Sequence, residues 1–137
     1  MALNPYKKYQ ENRIEGASQG EMIILLYEGA IRFMNQGIAY IENREIEQAN
    51  HVIIKAQRIV NELQITLNFD LGGEIAENLF RLYDFCMQQL LDANVKKEVL
   101  GLQNSIEIFE DLLGTWREII QGGGEATEQV SGLNIRG

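Results

Sequence analysis

Apolar residues recur along this chain at alternating spacings of three and four, the period that lines one face of an α-helix. The first such run carries Ile23, Leu26, Ala30, Phe33, Gly37 and Tyr40, with Gly37 counted as a close-approach position. Ser18 precedes it, three residues before Glu21, the reciprocal capping-box spacing that satisfies two N–H groups at a helix start. A helix is predicted over about 18–43. After a polar break at Asn43, Arg44 and Glu45, the positions Ile46, Ala49, Ile53, Ala56, Val60, Leu63 and Leu67 predict a second, over 45–67. Residues 68–73 bring Asn, Asp and two glycines together, which is turn chemistry. Ile75, Leu79, Leu82, Cys86, Leu90 and Ala93 then mark a third helix. The pattern breaks again from Asn94 to Glu98, and Val99, Leu102, Ile106, Phe109, Leu113, Trp116 and Ile120 predict a fourth over 97–121.

Four helices on short links run antiparallel to their neighbours and bury their stripes together. The expected class is all-α: an antiparallel up-down-up-down four-helix bundle. The one proline, Pro5, precedes all four helices, so nothing later interrupts their hydrogen bonding. Residues 3–12 are expected to add a short helical segment, and the polar stretch from Gly122 to Gly137 a flexible tail. The chain thus reads as one bundle domain over 1–121 and a Gly-rich tail over 122–137.

A bundle helix needs one apolar stripe, with polar residues over the rest. These helices have more. Beside its stripe, the first helix carries a second row at Ile24, Tyr27, Ile31, Met34, Ile38 and Ile41, and its polar row of Glu21, Glu28, Arg32, Asn35 and Glu42 contains Leu25. The second helix sets Ile54 and Ile65 among Glu47, Asn50, Arg58 and Asn61, and the third sets Phe85 among Asn78, Gln89 and Asp92. A single exposed apolar residue is ordinary. Four on three helices fit better with grooves that receive apolar side chains from another polypeptide. Gly29 and Gly37 have two readings, close helix packing or a furrow for a partner.

Charge and composition narrow the partner. With 12 Lys+Arg against 20 Asp+Glu, the net charge of −8 argues against nucleic acid and against anionic membrane surfaces. The longest apolar run, Met22 to Tyr27, is far shorter than the ~20 residues that span a bilayer. The N-terminal residues lack the apolar core of a secretory signal, and a lone Cys86 forms no internal disulfide, so a reducing, cytoplasmic setting is expected.

Candidate chemistry is sparse. A di-iron bundle needs a Glu-x-x-His pair from each of two helices, and His51 is the only histidine, with Glu47 four residues upstream. No metal site is expected. Cys86 lies on a core stripe, where a thiol behaves as a small hydrophobe. Gly122 to Gly124 lack the Lys of a phosphate-binding loop. No catalytic residues and no cofactor are expected, and any work on a partner must come from binding free energy.

Several segments together resemble the flagellar secretion chaperone FliS family, over about residues 3–118. They are Asn4-Pro5-Tyr6-Lys7-Lys8-Tyr9-Gln10, Ala17-Ser18, Leu26-Tyr27-Glu28-Gly29-Ala30, Lys55-Ala56, the run from Gly72 to Leu79, Leu82-Tyr83-Asp84, Ala93-Asn94 and Trp116. Gln19 departs from the proline that the family often has after the serine, which touches helix-start stability more than function. The resemblance implies a cytoplasmic chaperone of the bacterial cytosol. Such a chaperone holds the C-terminal segment of flagellin, blocks premature filament assembly and delivers the subunit to the flagellar type III export apparatus. Leu25, Ile54, Ile65 and Phe85, set apart by their polar rows, are expected to contribute to the receiving surface, and the resemblance puts the N-terminal region with Tyr6, Tyr9 and Gln10 near the client groove. Tyr6 and Tyr9, three apart, share one face of a helical turn, and either cover the bundle's end or occupy the groove when no client is bound. The main alternative is a non-enzymatic structural bundle whose spare apolar residues make a homodimer or larger homo-oligomer.

Overall fold

The computed structural model describes residues 19–122. Ser18, the N-terminal segment with Tyr6, Tyr9 and Gln10, and the tail beyond Gly122 lie outside the described residues. Four helices follow one another: α1 (Gln19–Glu42), α2 (Ile46–Ile65), α3 (Phe69–Lys96) and α4 (Leu100–Gln121). Their contacts close a ring, α1 against α2 and α4, and α3 against the same two. The helices therefore stand at the corners of a square, with α1 diagonal to α3, in the expected up-down-up-down order.

The links are short because their backbones turn sharply. Arg44 takes a left-handed conformation (φ 61°), and the N–H of Glu45 donates back to the Tyr40 carbonyl at 2.8 Å. That bond closes the end of α1 in the manner of a Schellman cap, with arginine at the place glycine usually holds. Lys97 (φ 54°) ends α3 in a similar way. Asn68 starts α3, its Oδ1 accepting from the N–H of Leu71 at 3.0 Å.

Three helices match their expected spans to within one turn, and the third does not. The expected turn at 68–73 is already helical from Phe69, and the turn chemistry appears instead as a kink at Gly73 (φ 51°, ψ −125°). The core rows differ too. The residues of α1 that point inward are Ile23, Tyr27, Ala30, Met34 and Gly37, while Leu26, Phe33 and Tyr40 are half-buried. Two adjacent apolar rows satisfy the same spacing, and a corner helix buries the row midway between its two neighbours. On α3 the same choice brings in Ala76 and Tyr83 beside Leu79, Cys86, Leu90 and Ala93. Of the residues expected on core stripes, Ile46 is exposed in the first turn of α2, and Ile75 is exposed because α3 turns the adjoining row of Ala76 and Leu79 to the core.

The centre of the bundle is aromatic. Tyr27 on α1 and Tyr83 on α3 reach across the diagonal, their hydroxyls 2.6 Å apart, and neither ring has measurable exposure. Phe109 lies against both, with ring centres 4.8 Å from Tyr27 and 6.2 Å from Tyr83, and Trp116 meets Tyr27 edge-on. Burial pushes the Tyr27 hydroxyl well above the usual tyrosine range, with Tyr83 reinforcing it. Of the three glycines of α1, Gly37 and Gly29 both face side chains of neighbouring helices. A Cβ on Gly37 would sit 3.1 Å from Ile53 and 3.2 Å from Leu102, and one on Gly29 would sit 3.4 Å from Ile59. Neither position is a furrow open to a partner.

Candidate functional site

The exposed apolar side chains are not spread evenly. Seven of the twelve large ones among the described residues belong to α3: Phe69, Leu71, Ile75, Phe80, Phe85, Leu91 and Val95. On α4, only Leu100 is exposed among them. A polar helix face solvates itself, whereas this one leaves a large hydrophobic area uncovered. The corner at α3 is therefore the candidate surface.

Its flank toward α2 is braced at both ends. Asn94 donates through Nδ2 to Oδ1 of Asn50 at 2.8 Å, and Gln64 donates through Nε2 to the Phe80 carbonyl at 3.3 Å. Between these braces α3 presents Phe80, Met87 and Leu91, spaced at seven and four so that they share one side. The facing row of α2 follows from Asn50: Ile54 one turn on, then Asn61, then Ile65. Ile54 is half-buried and Ile65 is 56% exposed. At the foot of this seam the ring of Phe69 lies 5.9 Å from that of Phe80, so the kinked first turn of α3 forms an end wall.

The other flank faces α4. Asn104 donates to Oε1 of Gln89 at 3.0 Å, and Gly101 packs against the backbone of Gln89. Phe85 lies one turn before Gln89 and Leu82 continues that side. Ile108 and Leu112 lie one and two turns after Asn104. Phe85 is 47% exposed, and the other three are half-buried.

Of the four described residues singled out in the sequence, the structure brings Ile54 and Ile65 to one seam and sets Phe85 on the opposite flank of the same helix. Leu25, 61% exposed, points away from the core of α1, at the diagonal corner. They do not make one patch. Sequence reasoning passed over Phe80, Leu91 and Val95, and took Ile75 as core. Leu91 adjoins core Leu90, and Val95 sits where the pattern was read as broken, so spacing alone carried no signal for either.

Side chains with reactive chemistry are placed without partners for it. His51 is exposed on α2 beside Glu47 and Gln48. Cys86 is buried, and burial pushes its thiol up to about 11, which disfavours the nucleophilic thiolate. Among the described residues no three His, Cys, Asp or Glu side chains converge on a metal-sized site, and no helix is long and apolar enough to cross a membrane.

Comparison with known proteins identifies what this bundle is similar to. The model of the family "Flagellar protein FliS" matches residues 2–123. The flagellar secretion chaperone FliS of Bacillus subtilis (strain 168) is 35% identical over 123 residues, covering 88% of this chain and 90% of that one. The flagellar secretion chaperone FliS of Vibrio cholerae serotype O1 is 33% identical over 119 residues, covering 86% and 88%. A crystal structure of a flagellar chaperone from bacteria superposes with a TM-score of 0.72 at 20% identity, over 87% of this chain and 100% of the other, and shows the same fold.

Proposed function

Because the chain belongs to the FliS family of flagellar proteins, we propose that it is a cytoplasmic, non-enzymatic export chaperone for flagellin. It binds the C-terminal segment of the subunit, keeps it from polymerising and delivers it to the flagellar export apparatus. The observation that carries this reading is the uneven surface: an uncovered apolar helix, α3, with a seam on each side.

The physics of the client favours such a layout. A filament subunit's terminal segment has an apolar stripe with no partner until assembly, so it self-associates when left exposed. Ordering it takes about 2–5 kcal/mol out of the gross interaction, so the contact must bury roughly 1,000–3,000 Å². One pocket is too small for that. A segment that covers both flanks of α3 and continues to Leu25 at the far corner would run around the bundle, and would bury surface on that scale.

Isothermal titration of the flagellin C-terminal segment tests this. Leu25, Ile65 and Phe85 are exposed, so a triple change to Asp leaves the fold intact. Each side chain contributes about 1.5–3 kcal/mol when fully covered, so the variant is expected to lose well over tenfold in affinity. A folded variant with unchanged affinity removes these residues from the surface. Sedimentation of the wild type with the segment should give a discrete heterocomplex, whereas a homodimer that ignores flagellin supports the alternative of a self-associating bundle.

A further inference from the structure

Midway along the α1–α2 seam, two cations converge on one ring. The guanidinium of Arg32 lies 5.2 Å from the centre of Phe33, and the ammonium of Lys55, from the facing helix, lies 5.4 Å from it. Both distances are within reach of a cation–π contact, which orients the two heads but does not neutralise them. The ion pairs of the described residues are Lys96 with Asp92 and Arg117 with Glu28. Among those residues neither Arg32 nor Lys55 is in an ion pair, although Arg32 also lines a groove between α1 and α4 with Glu28 and Glu110. Gly29 lies beneath the guanidinium. A Cβ there would stand 3.8 Å from Nη2 of Arg32, so the guanidinium lies over the glycine, beside the seam.

The surroundings extend the site. Two and three turns before Phe33 on the same flank of α1 stand Leu26 and Met22, and Ile59 of α2 packs against Gly29. An apolar strip thus leads up to a doubly cationic end, with the half-buried Phe33 ring between the two charges.

We propose that Arg32 and Lys55 form a clamp for the terminal α-carboxylate of the bound client segment, with its last apolar side chains on the strip that precedes the clamp. This rests on the chaperone reading above. The occupant follows from complementarity. A C-terminal segment, whatever its sequence, ends in a carboxylate, the group that two cations outside any ion pair attract. The clamp sets the register of the wrapped segment. It also makes the chaperone selective for a finished chain, because an internal stretch of similar apolar pattern offers no terminal anion.

The test uses the flagellin C-terminal segment as a free acid and as its C-terminal amide. Both are titrated into the wild-type chain, into an Arg32→Gln, Lys55→Gln variant and into the charge-preserving Arg32→Lys, Lys55→Arg variant. Thermal melts verify that all three are folded. Amidation is expected to weaken wild-type binding roughly fivefold to tenfold, as for the loss of two exposed ion pairs. It should have no further effect in the Gln variant and retain most of its effect in the charge-preserving one. Equal wild-type affinity for acid and amide overturns the clamp and leaves the chaperone reading standing. A loss in the Gln variant with the acid–amide difference intact assigns the cations to a side-chain carboxylate and also overturns it. Failure of both peptides to bind overturns the chaperone reading itself, and the clamp with it.

Discussion

The hydroxyl pair at the centre of the bundle is the most exacting test of the fold. Tyr27 and Tyr83 are both without measurable exposure, and their oxygens are 2.6 Å apart across the diagonal. Changing Tyr27 to Phe keeps the ring, which packs 4.8 Å from Phe109, and removes only the hydroxyl. Tyr83 then loses this partner in an apolar setting, at a cost of about 1–3 kcal/mol. At roughly 4 °C per kcal/mol for a domain of this size, the melting temperature falls by about 4–12 °C. The double change to Phe removes both hydroxyls at little change in shape, so it should cost clearly less than the two single changes together, with a coupling of about 1 kcal/mol. Urea unfolding of the four proteins, read by fluorescence and circular dichroism, measures the cycle. Strict additivity would refute the idea that this bond matters. The same pair predicts a pH effect. The folded-state pKa of Tyr27 is raised, chiefly by burial, so its contribution is fully present below the unfolded value near ~10 and is lost as pH rises toward the folded value. Wild-type stability should therefore fall above about pH 10 more steeply than that of Tyr27→Phe.

Two glycines make separate predictions. At Gly73 a Cβ would meet nothing within 4 Å, so the demand for glycine comes from φ 51° with ψ −125° alone. Gly73→Ala should lower stability by about 1–3 kcal/mol, and Gly73→Asn should do no better, because asparagine relieves only the left-handed helical region. Rescue by Asn in a urea melt would show that the kink is not needed. Gly101 is the steric counterpart, since its Cβ would come into hard contact with the Gln89 carbonyl. Gly101→Ala should therefore cost about 1–3 kcal/mol by forcing α3 and α4 apart, and an unchanged melt would refute that close approach.

Much of the architecture was legible in spacing. The stripe on α4 and the middle of that on α2 are buried as read, from Leu102 to Trp116 and from Ala49 to Leu63. The errors fall where spacing is degenerate. On α1, Leu26 and Tyr27 each begin a run of threes and fours, and only the positions of α2 and α4 decide that Tyr27 faces the centre. Ile46 belongs to a good stripe but stands at a helix end, and Ile75 loses its place in the core to Ala76 on the adjoining row. The left-handed cap at Arg44 uses none of the usual residues, although a polar break there was evident. At the candidate surface, Leu25 and Phe85 were visible because each stands alone in a polar row and Ile65 because it shares one only with Ile54, whereas Phe80 and Leu91 were hidden by adjoining core residues.

What the sequence by itself determined is the set of helices, their order and the family likeness. Each of these depends on contacts within one turn or on the order of short segments, which a linear string carries. The tertiary structure decided which of two neighbouring apolar rows is core and how the left-over residues group. It put α3 between two seams, set Leu25 at the opposite corner, and brought Lys55 of one helix to the ring that Arg32 already covers. Those outcomes depend on the rotation and register of one helix against another, set by the packing of all four helices at once.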